Sequence, residues 1–138
     1  MADFLTAYRR TAKLEGGYTC DPDDNGNWTG GKKGVGELVG TNYGISAPVL
    51  KKYLGRTPTV EDVKSISAEL RKEIYKGEYW DKVRGDEILN QDTADYIYDS
   101  AVQHGVTGAM KNIVQTSIPV EKTGIMDDAT LNAINHKA

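Results

Sequence analysis

Glu15, Asp21, Asp23 and Asp24 lie close together in the chain and are followed by a hydroxyl at Thr41; these residues are suited to acid–base chemistry. Stepping about 100° per residue puts Phe4, Tyr8, Ala12 and Glu15 on one side of a helix, Glu15 about 20° from Phe4. Gly16-Gly17 follows, and glycine is the residue a helix C-terminus prefers. A carboxyl placed there meets the negative end of the helix dipole and apolar neighbours, and both raise its pKa. A glutamic acid that stays protonated near neutral pH can donate a proton. The ordinary alternative is a helix-end glutamate turned to water. The acidic loop after it favours the first reading, because a carboxylic acid facing ionised carboxylates across a cleft is how glycosidic bonds are hydrolysed. Trp28, in a glycine-rich loop, and Tyr43 could stack on a sugar ring, although Tyr43 would serve equally well in a core.

The elements that must position these groups are mostly helical. The first helix is expected over residues 2–15, with Asp3 at its start. Thirty irregular residues follow, with 34–40 and 41–46 as the two strands of a small hairpin. Ser46, Pro48 and Gly55 then bracket a short helix through Leu54, Thr59 starts another, and Ser67 opens a longer one toward Trp80. Gly77 interrupts that helix at modest cost. A helix over 92–104 places Ala94, Ile97, Ala101 and Val102 on one face. Asp95 and Asp99 share another stripe; a solvated face is the plain reading, but Asp99 precedes small residues and could line a cleft. Thr107 is expected to cap a helix through Gln115, and Asp127-Asp128 to start the last. The whole reads as mainly α (α+β), a helical domain with a small β element next to the first helix.

At 138 residues the chain has room for one ordinary domain and a small appendage. A net charge of −3 and the lack of a lysine or arginine stripe argue against nucleic acid as a partner. No apolar run near the N-terminus is long enough for a signal peptide or membrane span, so stable membrane insertion is not expected. The expectation is synthesis in the cytoplasm, with another factor needed for release if the target lies outside that compartment. The single cysteine, Cys20, excludes an intrachain disulfide and reads as a filler. Asp21-x-Asp23-x-Asn25-Gly26 opens like an EF-hand loop, but its twelfth position, where a bidentate glutamate belongs, is Lys32. No metal or cofactor is expected.

Glu15-Gly-Gly-Tyr18, Asp21-Pro-Asp-Asp24, Thr41-Asn-Tyr-Gly-Ile-Ser46, Tyr79-Trp80 with Arg84-Gly85-Asp86, and Asp99-Ser-Ala-Val-Gln-His-Gly105 together resemble glycoside hydrolase family 108, over nearly the whole chain. That family holds phage endolysin and bacterial N-acetylmuramidase domains. The resemblance implies a lysozyme-like helical domain and cleavage of the β-1,4 bond between N-acetylmuramic acid and N-acetylglucosamine in the glycan strands of peptidoglycan, with action on the cell wall or in the periplasm and release by a holin or a secretion system. It carries the catalytic acid onto Glu15, the second carboxylate onto Asp24 or Asp23, and the TNxGI segment onto Thr41 to Ile45. The interval from Glu15 to Asp24 is the one phage-type lysozymes use; their threonine corresponds to Thr41 after an insertion, or to Thr29. Asp24 would stabilise the cationic centre or activate water, Thr41 would orient that water, and Tyr43, Trp28, Asp23, Asp99 and Gln103 would contact substrate. The reading leans to inversion.

The chain departs from the family in its longer loop between Asn25 and Gly40 and in Gln103-His104, which replaces the common asparagine before Gly105. From His104 onward it resembles the start of the family's peptidoglycan-binding region. The domains expected are therefore 1–104, catalytic, and 105–138, a shortened binding-like helical region. The rival reading is a non-catalytic wall-binding module of the same fold.

Overall fold

The computed structural model describes residues 1–11 and 16–137. It consists of two compact units, Met1–Lys13 with Tyr75–Ala138, and Leu14–Ile74. The first is here called the helical unit and the second the loop-rich unit.

In the helical unit, α1 (Phe4–Thr11) begins where Asp3 accepts the Thr6 amide at 3.0 Å, and it buries Phe4, Ala7, Tyr8 and Thr11. The expected continuation of this helix to Glu15 lies outside the described residues. Helix α5 (Gln91–His104) is capped by Asn90, which accepts the Thr93 amide, and it buries Ala94, Ile97, Tyr98 and Ala101. The acidic stripe of α5 fastens α1: Arg10 pairs with Asp95 and Asp92, and Thr11 donates to Asp99 at 3.1 Å. The ion pairs are partly exposed and add little stability. The centre is aromatic, with Phe4, Trp80 and Tyr98 mutually 5.8–5.9 Å apart between ring centroids. Such pairs add about 0.5–1.5 kcal/mol each beyond their burial.

The Tyr79-Trp80 and Arg84-Gly85-Asp86 residues are explained by this core. The fully buried Trp80 donates its indole N–H to Asp86 at 2.9 Å, and a Cβ on Gly85 would fall 2.2 Å from the indole ring. Arg84, at φ 54°, forks onto Glu87 and reaches Asp128 at 2.7 Å.

Helix α6 (Val106–Ala109) runs on as a π turn, Met110–Val114. It begins one residue before Thr107, which is therefore inside the helix and not its cap. The reason is Gly105, whose φ of 80° ends α5 and lets the chain restart at once. The last helix, α7 (Asp128–Lys137), starts where Asp127 accepts the Thr130 amide and hydroxyl. These bonds, the Thr130 hydroxyl foremost, hold the Asp127 carboxyl below its ordinary pKa. Gln115 ties the segment together: its amide nitrogen is 2.9 Å from the Thr130 hydroxyl, 3.0 Å from the Ile125 carbonyl and 3.1 Å from the Thr123 hydroxyl. Its oxygen accepts the Gly124 amide.

The loop-rich unit carries α2 (Ala47–Leu54), α3 (Val60–Lys64) and most of α4 (Ala68–Tyr75), packed around Val39, Ile45, Leu50, Val63, Ile66 and Ile74. Ser46, Pro48 and Gly55 bound α2 as expected, and Thr59 opens α3 through a reciprocal capping box with Asp62. Arg56 forks onto Asp62 and holds its carboxyl well below the usual range. The helix expected to run to Trp80 changes at Lys76 into a π turn that contains Gly77.

The expected hairpin of 34–40 with 41–46 is not formed. Among the described residues the β pairing is four isolated antiparallel bridges, Thr19↔Thr41, Trp28↔Leu38, Lys32↔Val35 and Asn42↔Ile45. Residues 35–39 pair backward, Thr29 N–H donating to Glu37 at 2.9 Å and Val39 N–H to Asn27 at 2.9 Å. Residues 41–46 fold on themselves instead. Asn42 and Ile45 exchange both backbone bonds across Tyr43 (φ 53°) and Gly44 (φ 72°), the double-positive turn that glycine makes accessible. A tight turn inside 41–46 leaves too little extended chain for a strand.

Candidate active site

The acidic loop is built by its own side chains. Asp21 accepts the Asp23 amide at 2.9 Å, and its carbonyl accepts the Asp24 amide at 3.1 Å across a turn with Pro22 inside it. Asp24 caps the 3₁₀ turn Asn25–Asn27, its Oδ1 accepting the Gly26 amide at 2.9 Å. Asn27 is fully buried and donates to the Asp21 carbonyl at 2.9 Å, while its own carbonyl receives the Val39 and Gly40 amides.

Thr41 is fixed by two backbone bonds with Thr19, at 2.8 and 2.9 Å. Its hydroxyl donates to the Gly26 carbonyl at 3.2 Å. Gly26 is the meeting point. A Cβ built on it would lie 3.4 Å from Asp24 Oδ1 and 3.8 Å from Thr41 Oγ1. A carboxylate and a hydroxyl distant in sequence thus flank one small residue, an arrangement that can hold and polarise a water.

The neighbouring candidates are engaged otherwise. Asp23 takes the Lys33 ammonium at 2.5 Å, and Asn25 accepts the Lys33 amide at 2.9 Å, so a lysine occupies the loop that resembled a calcium site. Thr29 is buried and accepts the Glu37 amide at 2.8 Å, a structural bond within the paired segments. Trp28 is half-buried, its indole N–H donating to the Pro22 carbonyl at 2.8 Å, which ties it to the acidic loop. Tyr43 is half-buried with the Arg71 guanidinium 4.0 Å from its ring centroid. Glu15 lies outside the described residues. In the helical unit, Gln103 donates to Asp99 at 2.7 Å, so these two candidates are bonded to each other and, through Asp99, to Thr11.

Three residues escaped the sequence reading. Asn42 is buried and donates to the Val63 and Lys64 carbonyls at 3.0 and 3.3 Å, anchoring the Thr41–Ile45 segment on the end of α3. Asn27 organises the acidic loop, and Arg71 backs Tyr43. Only their place inside otherwise charged or glycine-rich runs hinted at this. Tyr18 donates to the Val39 carbonyl at 2.9 Å; burial first, then its hydrogen bond with Cys20, pushes the phenol up to about 12.

The profile of glycosyl hydrolase 108 matches residues 8–105 of this sequence. The chain belongs to glycosyl hydrolase family 108. A similar solved structure is that of Brucella abortus SagA, with 30% identity and a TM-score of 0.72 over 98% of this chain and 70% of that one. No curated protein matches the sequence. Membership makes a glycoside hydrolase acting on peptidoglycan the family-level expectation and agrees with the lysozyme-like, mainly helical fold. No helix among the described residues is long and apolar enough to cross a membrane.

Proposed function

We propose that this family 108 member is an N-acetylmuramidase that cleaves the β-1,4 bond between N-acetylmuramic acid and N-acetylglucosamine in peptidoglycan. Glu15 protonates the leaving glycosidic oxygen, Asp24 activates a water or steadies the oxocarbenium-like centre, and Thr41 orients that water. The observation that carries the reading is the convergence of the Asp24 carboxylate and the Thr41 hydroxyl on Gly26. Chain connectivity supports Glu15 as their partner. It precedes Thr19 by four residues, a length that spans at most about 14 Å, and Thr19 is paired directly with Thr41.

Between the two aspartates, Asp24 is favoured because Asp23 pairs with Lys33 while Asp24 shares Gly26 with Thr41. Between the two threonines, Thr41 is favoured because it shares Gly26 with Asp24, whereas Thr29 is buried and takes the Glu37 amide. Trp28 and Tyr43 supply aromatic surface at either end of this segment, and inversion is the expected stereochemistry. Digestion of purified peptidoglycan followed by mass spectrometry tests the reading. New reducing ends on N-acetylmuramic acid are expected; ends on N-acetylglucosamine, or binding with no new ends, would reject it.

A further inference from the structure

Arg71 on α4 is a half-buried guanidinium with no role in the chemistry above. Its Cζ lies over the Tyr43 ring, 4.0 Å from the centroid, and its Nε is buried with no hydrogen-bond partner among the described residues. A buried guanidinium N–H without an acceptor is costly, and such groups are kept where something else is to be bound. The ring contact limits the orientations open to the guanidinium, whose fork can receive a carboxylate through two parallel bonds. Tyr43 follows Asn42 and Thr41 directly, so the same tight turn that presents the Thr41 hydroxyl also presents the face on which Arg71 rests.

The two sugars of the proposed substrate differ in one respect that a cation can sense. N-acetylmuramic acid bears a lactyl ether ending in a carboxyl group, either free or joined to a stem peptide that has carboxylates of its own, whereas N-acetylglucosamine is neutral. We propose that Arg71 binds a carboxylate of the muramyl unit and thereby distinguishes the two sugars. This rests on the muramidase reading for the identity of the ligand, while the carboxylate site itself rests on Arg71 and Tyr43.

The test is a chemical-shift titration of the protein with N-acetylmuramic acid, N-acetylmuramyl-L-alanyl-D-isoglutamine and N-acetylglucosamine, for the parent, Arg71→Gln and Arg71→Lys. The parent should bind at least one of the two carboxylate-bearing ligands about 10-fold or more tightly than the neutral sugar, with the Arg71 Nε–H resonance moving. Arg71→Gln should bring that ratio to about one, and Arg71→Lys, which keeps the charge and loses the fork, should fall between. Preference for the free acid places the contact on the lactyl group; preference for the dipeptide places it on the stem peptide. Equal affinity of the parent for all three ligands, or an Arg71 resonance that does not move, overturns the proposal even if the glutamine variant does not fold. Hydrolysis of peptidoglycan is scored separately: turnover without carboxylate preference removes Arg71 alone, and carboxylate preference without turnover removes the muramidase reading alone.

Discussion

Both units bury side-chain amides, and Gln115 in one is treated differently from Asn27 in the other. Gln115 in the helical unit has its nitrogen shared among Thr123, Ile125 and Thr130 and its oxygen on Gly124. Asn27 in the loop-rich unit is equally enclosed, yet of its side chain only the nitrogen is bonded, and its Oδ1 has no partner among the described residues. The Arg71 Nε in the same unit is in the same state. Each such atom costs about 1–3 kcal/mol. The helical unit spends its buried polarity on holding itself together. The loop-rich unit satisfies Asn42 in full but leaves Asn27 Oδ1 uncommitted within the segment that carries Asp24 and Thr41, the kind of compromise with stability that functional sites make.

The contrast is open to direct attack. The largest effect is expected from Glu15→Gln, whose amide cannot supply a proton: release of reducing ends should fall by about 10²–10⁴-fold while the thermal midpoint holds. A variant that clears cell walls near the parental rate would take the chemistry away from this residue. Asp24→Asn should cost about 10²-fold in rate with no loss of stability, because asparagine caps a helical turn as well as aspartate does. Gln115→Leu should behave in the opposite way. It strands the Gly124 amide and its hydroxyl partners, lowering stability by about 2–3 kcal/mol in a urea titration, with turnover unchanged well below the transition.

Thr41→Val and Thr29→Val sharpen the comparison within one unit. The first should slow turnover several-fold at nearly constant stability. The second should cost about 1 kcal/mol of stability, since the Glu37 amide loses its acceptor, and leave the rate alone. The smallest effect is a pH dependence. Asp127 has a folded-state pKa below its unfolded value, so its contribution is present above the unfolded value and disappears as pH falls through the folded one. Urea midpoints should therefore decline below about pH 4, and Asp127→Asn should flatten that decline.

Much of the fold was legible because it is written in local chemistry. Ser46, Pro48 and Gly55 mark α2, Thr59 marks α3, and Asp127 starts α7, each through bonds reaching only a few residues. The hairpin was misjudged because alternation along 34–46 says nothing about direction. Residues 35–39 found their partner behind them, at 27–30, and a tight turn claimed 42–45. Thr107 looked like a cap by type, but Gly105 had already turned the chain.

At the candidate site, the types of Asp24 and Thr41 were visible and their meeting at Gly26 was not, since it depends on a pairing between Thr19 and Thr41. Asn27, Asn42 and Arg71 gave no more than the hint of their setting, since Asn42 and Arg71 find their partners far along the chain and Asn27 bonds back to the Asp21 carbonyl across the acidic loop. Trp28 was read as a platform for sugar; its nitrogen proves to be bound to the Pro22 carbonyl, which gives it a second job in holding the acidic loop.

That tether has a practical side. The chain has two tryptophans, and Trp80 is fully enclosed, so it should emit at short wavelength and ignore events at the surface. Trp28, half-exposed and attached to the loop that bears Asp24, should respond when that loop is occupied. The molecule therefore carries its own optical probe, and glycan binding can be followed by intrinsic fluorescence without attaching a dye.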